Sequence, residues 1–436
     1  MRARFFAFSV VCVSVVFTAF LSRYVVTHSH FVGDDYCGFW LAHSRALGEY
    51  LLDPIGAHIV PLHRAVTYLV YKTAPMDFVF ALRVLLVFHI LSVLLLYHTL
   101  QVLKNSPINI ALIFLYSVHE TLGYLFIWWS SGLHRLPYIL FAITSCYFYL
   151  RFRSSRNPVF FGAVVLSFLL AVGFYTKAIL IPLYLVGIEI CLSGSIAHRR
   201  FLRNFRWLSI LLLLSILYLF TWSYLSIDTT KTVNLELSYH LNFQAKSWAT
   251  LACSMFALVW PFVSVEQGAA VGLLWFSFIA YTVVRRRSTA LIWTVLAVVV
   301  GANFLLLSLS VWSLAFGEIL PLIRRYYYEV VFLVVIFLGL ILHRVSAPSE
   351  VIRDARREPR RLAAGVVVVG LGIAISVASY SSFTEIVSTY YQRHMILLRF
   401  VKNLASDFEA IEKEDDDPTL VDGRLPVRLM CWNSQT

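Results

Sequence analysis

The sequence predicts an all-α, polytopic membrane protein of about eleven transmembrane helices, and three observations predict it. Hydrophobic residues make up 59% of the chain and charged residues only 14%, against roughly 25% charged in a soluble domain. Apolar runs recur from one end to the other, most of them near the roughly 20 residues that a bilayer core requires. Short basic clusters stand between alternate runs, the bias that marks cytoplasmic loops. The formal charge of +12 therefore reports topology, and no nucleic-acid partner is expected.

Arg2 and Arg4 precede the run Phe5–Leu21, and no small-residue cleavage site stands before the polar stretch that follows. The run reads as a retained first span with its N-terminus in the cytoplasm. The loop 22–76 is then outside, and its length points to function rather than connection. Within it, Trp40–Leu52 and Ile59–Tyr71 have mixed faces, suited to short interfacial helices on the membrane surface. Asp77–Leu103 returns inside. Arg83 within it must face protein or reach the outer interface, because a central Arg costs about 2.5–3.5 kcal/mol. His89, in the same run, reads as a packed, hydrogen-bonded core histidine.

Pro107–Trp129 runs outward, and Pro137–Leu150 returns to Arg151, Arg153 and Arg156. Val159–Tyr175 runs outward, and Ile179–Leu192 returns to a basic cluster from His198 to Arg206. Leu208–Leu225 leads to a polar outer loop, Ser226–Ser247. Leu251–Val263 is short for a span and contains Pro261, so it reads as re-entrant or interfacial. That leaves Arg285-Arg286-Arg287, which ends Ala269–Val284, inside. Ala290–Leu309 runs outward, Val330–Leu342 returns to the basic stretch His343–Arg361, and Leu362–Tyr380 is the last span. The chain thus divides into a transmembrane domain, 1–380, and a short polar outer tail, 381–436, whose acidic run Glu414–Asp417 reads as a solvated loop.

Four of the six cysteines lie in apolar segments. Cys37 and Cys431 are in polar stretches and are the pair to consider for a disulfide; no zinc-like or redox spacing occurs. A Rossmann glycine motif and a P-loop are also missing from the sequence.

Topology gathers the chemistry onto one side. The first outer loop opens with Gly33-Asp34-Asp35-Tyr36 and later carries His58, His63 and Arg64. Adjacent acids in a loop are ordinarily a solvated turn or a helix cap. Here the outer face also holds His119, Glu120, His134, Arg135, Lys177, Arg324, Arg325 and Tyr326. Single cations at span ends snorkel freely to the interface. Together with the two acids they suggest a carboxylate base facing a phosphate at headgroup level. Cleavage of a sugar–phosphate bond leaves an anion that Arg and Lys stabilise, and an Asp in reach takes the acceptor's proton.

In the order Asp34-Asp35 after the first span, His119-Glu120 before an aromatic outer turn, Lys177 ahead of a span with Pro182, and Arg324-Arg325-Tyr326 before a late span, the chain resembles the GT-C superfamily of membrane glycosyltransferases. The likeness is to the protein O-mannosyltransferase-like and lipid A aminoarabinose transferase-like branches, and it covers roughly residues 1 to 380. It implies a helical membrane core with catalytic outer loops, and a polyprenyl-phosphate-linked sugar as donor. It implies Asp34 as base, with Asp35 supporting it or binding the acceptor. Arg135, Lys177, Arg324 and Arg325 would bind the donor phosphate. Arg64, His58, His119, Glu120, His134 and Tyr326 would contact substrate. The acceptor is a glycan, a lipid or a protein, with membrane lipid around it. A divalent metal is used by some members, and no ligand cluster beyond Asp34, Asp35 and Glu120 is visible, so the metal stays open. The large outer C-terminal domain of several branches is absent from this sequence. The implied setting is a bacterial plasma membrane with the site facing outward. The rival class is a polytopic transporter or lipid flippase, which calls for inverted repeats and helices broken at the midplane.

Overall fold

The computed structural model describes residues 16, 18–54, 58–106, 108–194, 199–225, 236–257, 264–310, 313, 316–345 and 377–388. Among them the structure is all-helical, with no strand. Six helices are long and apolar enough to cross a membrane: Phe78–Leu103, Thr176–Ser193, Phe201–Thr221, Glu266–Arg285, Thr289–Ser308 and Tyr328–Val345. Two shorter apolar helices accompany them, Ile108–Ser117 and Pro158–Phe174. The protein is therefore a helical membrane protein by length and composition. Most of the expected spans Phe5–Leu21 and Leu362–Tyr380, and the acidic run Glu414–Asp417, lie outside the described residues.

Helix α1 occupies 18–28. The stretch expected to form the first outer loop then folds as three short helices: α2 (Gly33–Ser44), α3 (Leu47–Leu52) and α4 (Pro61–Thr73). Proline at the first turn starts α4 without losing a hydrogen bond, since that N–H has no helical partner. Helix α5 (Phe78–Leu103) begins where the Asp77 carboxylate accepts from Phe80 N at 3.0 Å. Arg83 is exposed on its second turn, close to the outer end. His89 is fully buried, donating from Nε2 to the Ser117 carbonyl at 3.2 Å, with Nδ1 3.1 Å from Tyr328 Oη.

The expected span Pro107–Trp129 is not continuous. It forms α6 (Ile108–Ser117) and α7 (Leu122–Phe126), interrupted at 118–121. Helix α8 (Trp129–Ser155) is longer at both ends than the apolar run Pro137–Leu150. Its outer end carries polar residues that hydropathy counts against a span but that protein covers. Helix α9 (Pro158–Phe174) starts at Asn157, whose side chain accepts from Val159 N at 3.0 Å. A 3-10 turn, Thr176–Leu180, leads into α10 (Ile181–Ser193), which ends at Gly194 with φ +77°. Helix α11 (Arg199–Leu225) follows.

Helix α12 (Leu237–Ser254) occupies much of the stretch read as a polar loop. Its buried face includes Phe243, Ser247, Thr250, Leu251 and Ser254, spaced at three to four residues, but much of that face is hydroxyl. Periodicity supports the helix while hydropathy hides it. The re-entrant reading of Leu251–Val263 falls partly on residues outside those described. Helices α13 (Val265–Arg285) and α14 (Thr289–Ser308) come next. Two 3-10 turns, Gly317–Leu322 and Arg324–Tyr326, precede α15 (Tyr328–Val345), and α16 spans 377–388. The division expected at residue 380 thus cuts through a helix.

The core sits around α15, of which 83% is buried, whereas only 11% of α13 is. Hydrocarbon solvent gives no hydrophobic drive between helices, so close packing has to hold them. Two glycines show how close it is. A Cβ on Gly132 would lie 2.3 Å from the Leu125 carbonyl oxygen, and one on Gly187 would lie 2.9 Å from Val295 Cγ1. The first contact seats the outer end of α8 against α7; the second lets α10 approach α14.

Candidate active site

The first acid pair separates into two roles. Asp35 is buried, and its two oxygens accept from two backbone groups: Oδ2 from Val32 N at 3.0 Å and Oδ1 from Ser130 N at 2.7 Å. One carboxylate thus caps the start of α2 and the start of α8. Burial pushes Asp35 up to about 8, against the pull of the Val32 and Ser130 N–H groups and with a smaller push from Asp34. Asp35, expected to support the base or bind the acceptor, has each oxygen engaged by one backbone N–H group. Asp34, the next residue on the helix, faces solvent. The protein crowded around its recess raises its carboxyl above the ordinary value, and Arg325 opposes the rise.

Because Asp35 fixes the head of α8, it also fixes Trp128, the residue before that helix. Arg325 lies over the Trp128 ring at 4.2 Å and donates from Nη2 to Tyr326 Oη at 3.1 Å. The other side of this cluster belongs to Arg135, whose guanidinium lies 4.9 Å from the Tyr326 ring and 5.4 Å from the Tyr175 ring. Arg135 donates from Nε to Glu329 Oε1 at 2.6 Å and from Nη1 to Ser131 Oγ at 2.7 Å. Lys177 donates to the second oxygen, Glu329 Oε2, at 2.7 Å. Buried cations are tolerated only when paired and hydrogen-bonded, and Glu329 serves two of them. Arg135, Lys177 and Arg325 outnumber Glu329 and Asp34, so the cluster keeps one net positive charge with Asp34 ionised. An anion is the missing partner that this balance favours.

Three histidines adjoin the cluster. The His63 and His134 rings stack at 4.0 Å, and His58 lies 5.6 Å from both His134 and Tyr175. His63 Nε2 donates to the Ser130 carbonyl at 3.3 Å and His134 Nδ1 to the Phe174 carbonyl at 2.9 Å. His63 Nδ1 is buried without a partner. Burial, then the nearby Arg64, hold His63 down to about 3, so its ring is neutral at physiological pH.

Other expected contacts lie elsewhere. Arg324 donates from Nη1 to Glu120 Oε2 at 2.6 Å, and Ser382 Oγ on α16 donates to the same oxygen at 2.6 Å. Arg324 is buried and paired with Glu120 through Nη1, while its Nη2 has no hydrogen-bond partner among the described residues. His119 Nδ1 pairs with Thr121 Oγ1 at 2.8 Å inside the 118–121 break. Arg64 is buried and donates to the Asp53 carboxylate at 3.0 Å and the Pro54 carbonyl at 3.1 Å, with Tyr50 under its guanidinium. It staples α3 to α4 and is unavailable to substrate. Glu329, Tyr175, Trp128 and Ser131 are the residues that reading the sequence passed over. Glu329 was detectable in principle, as an acid at the outer head of an apolar run facing a surplus of cations.

The donor set does not fit a divalent ion. Asp35 accepts from two N–H groups, and Glu120 Oε2 accepts from Arg324 and Ser382 while its Oε1 is buried without a hydrogen-bond partner among the described residues. Among the described residues no group of three His, Cys, Asp or Glu side chains could hold one. Cys37, on α2, is disulfide-bonded; the pairing expected with Cys431 lies outside the described residues. No family model, no curated protein and no solved structure matches this chain.

Proposed function

We propose that this protein is a membrane glycosyltransferase. It moves a sugar from a polyprenyl-phosphate donor to a hydroxyl on a glycan, lipid or protein acceptor at the outer face. The observation that carries the reading is Asp34: an exposed carboxylate that feels Arg325, beside a cluster with surplus positive charge. GT-C likeness in the order of the motifs points the same way. So does the disulfide at Cys37, since such bonds persist in oxidising, extracytoplasmic compartments.

Asp34 takes the proton of the acceptor hydroxyl, and the raised proton affinity of its recess makes it a stronger base. The acceptor oxygen's electron pair forms the new bond to the anomeric carbon. The bond from that carbon to the phosphate oxygen breaks, and its electron pair leaves with the phosphate. A diester with one negative charge becomes a monoester carrying about −1.5 to −2 at pH 7. Half-buried Arg325, with the buried Arg135 and Lys177, meets charge that develops only as the bond breaks. Such stabilisation lowers the barrier rather than merely tightening binding. The Arg135 and Arg325 guanidinium groups both lie near the Tyr326 ring, at 4.9 and 5.0 Å.

The test is transfer of labelled sugar from a polyprenyl-phosphate donor in proteoliposomes. Asp34→Asn is expected to lower the rate by about 10²–10⁴-fold, the usual contribution of a general base, with the protein still folded. Near-full activity in that variant rejects Asp34 as the base. A second reading, a transporter or lipid flippase, is favoured by the helix break at 118–121, which buries Glu120 at an interruption between apolar helices. Flux of the labelled lipid-linked sugar without any transfer to acceptor selects that reading.

A further inference from the structure

A second charged cluster lies at the opposite ends of the helices, on the side that the basic-loop bias makes cytoplasmic. Its centre is Glu189 on α10, fully buried. Four side chains donate to it: Tyr149 at 2.8 Å, Arg153 at 2.8 Å, Ser193 at 2.6 Å and Asn204 at 2.9 Å. Arg153 neutralises the acid, and the other three donors complete its shell. Arg156, which also feels Glu189, and Arg203 then exceed the acid available. Arg156, the residue that ends α8, is held at φ +62°, a left-handed conformation rare outside glycine, and its guanidinium donates to Asn204 Oδ1. Arg203, one turn into α11, makes no ion pair among the described residues and repels Arg156. Partial burial and that repulsion both lower the proton affinity of Arg156. Arg156 and Arg203 are exposed, so like charges are kept together where they could have turned apart.

The surroundings say which anion would relieve them. Leu202 and Phe205 flank Arg203 on α11 and are exposed, as is Val159 at the start of α9. Arg206 lies over Trp207 and Arg151 over Phe160, at the aromatic level typical of a membrane interface. The cluster thus borders lipid at headgroup depth, between the ends of α8, α10 and α11. We propose that Arg156 and Arg203, braced by the Glu189–Asn204 network, bind the phosphodiester headgroup of an anionic phospholipid of the inner leaflet. The acyl chains lie along the exposed apolar face of α11. This site is independent of the reading given to the outer recess.

The experiment is lipid binding to the purified full chain. Phosphatidylglycerol, phosphatidylcholine and soluble glycerol phosphate are compared by native mass spectrometry and thermal shift. Phosphatidylglycerol is expected to bind more tightly than phosphatidylcholine, with glycerol phosphate ineffective at the same concentration. Each Arg that touches the headgroup contributes attraction worth roughly 5-fold, so R156Q/R203Q is expected to lose about 25-fold of the preference. R285Q, at the cytoplasmic end of α13, is expected to leave it unchanged. Equal binding of the two lipids by the wild type overturns the proposal and needs no variant. Full preference in R156Q/R203Q overturns the residue assignment, and an equal effect of glycerol phosphate overturns the lipid as its source.

Discussion

Two buried glutamates, one at each face, solve the same problem with opposite results. Glu189 receives one cation and three neutral donors, so its charge is balanced and its oxygens are full. Glu329 receives two cations, Arg135 on Oε1 and Lys177 on Oε2, and the region around it stays positive. A carboxylate saturated by hydroxyl, amide and one guanidinium is a tie between helices. A carboxylate outnumbered by cations holds a charge in readiness for something else. Burial is the same in the two cases, and what distinguishes them is the count of charges each receives. Both clusters carry surplus cations nearby, and the exposed carboxylate of Asp34 beside the Glu329 cluster is what makes that one the candidate for chemistry.

The comparison breaks most visibly at Glu329. Glu329→Gln leaves Arg135 and Lys177 buried without their acid, and removing one member of a buried pair costs about 3–5 kcal/mol. The expected outcome is a large fall in the unfolding temperature or loss of the monodisperse protein on size exclusion. Glu189→Gln is gentler. Arg153 is partly exposed and can turn to water, while the amide oxygen still accepts from some of the donors. A cost of about 1–3 kcal/mol is expected from the unsatisfied groups, read by the same thermal measurement. Similar losses in both variants would remove the distinction between the two sites.

The smallest effect is a pH slope at Asp35. Its folded-state value of about 8 lies above the ordinary 3.8, so between those values the folded chain holds a proton that the unfolded chain has released. Stability therefore falls as pH rises through this window and levels off above about 8. Near pH 7 the contribution is about 1 kcal/mol per pH unit. In Asp35→Asn this share of the slope disappears. An unchanged slope between pH 6 and 8 in that variant says that Asp35 is ionised throughout.

How far the sequence spoke for itself differs between these regions. Asp34, Arg325, Arg135 and Lys177 could be named from it, because cations are scarce on an outer face and each stands at a span end. What it could not give was who pairs with whom. Arg324 and Arg325 are neighbours in the chain, yet one is paired with Glu120 and the other lies over Trp128 and bonds Tyr326. Asp34 and Asp35 divide in the same way, since successive residues on a helix point about 100° apart. Long apolar helices such as α5 and α14 were legible to within a residue or two of their ends. The break at 118–121 and helix α12 were not, since tertiary partners, not hydropathy, stabilise them.

The pairing of Glu329 also has a consequence for how the chain is made. Arg135 and Lys177 precede it by 194 and 152 positions. At roughly 5–20 residues per second, synthesis leaves both cations without their counter-ion for on the order of 10–40 s. During that interval α8 and the turn after α9 have reason to stay near the headgroups, where water and lipid phosphate can solvate them. The outer ends of these helices would then settle to their final depth only once α15 arrives, making the last third of the protein a condition for the seating of its first half.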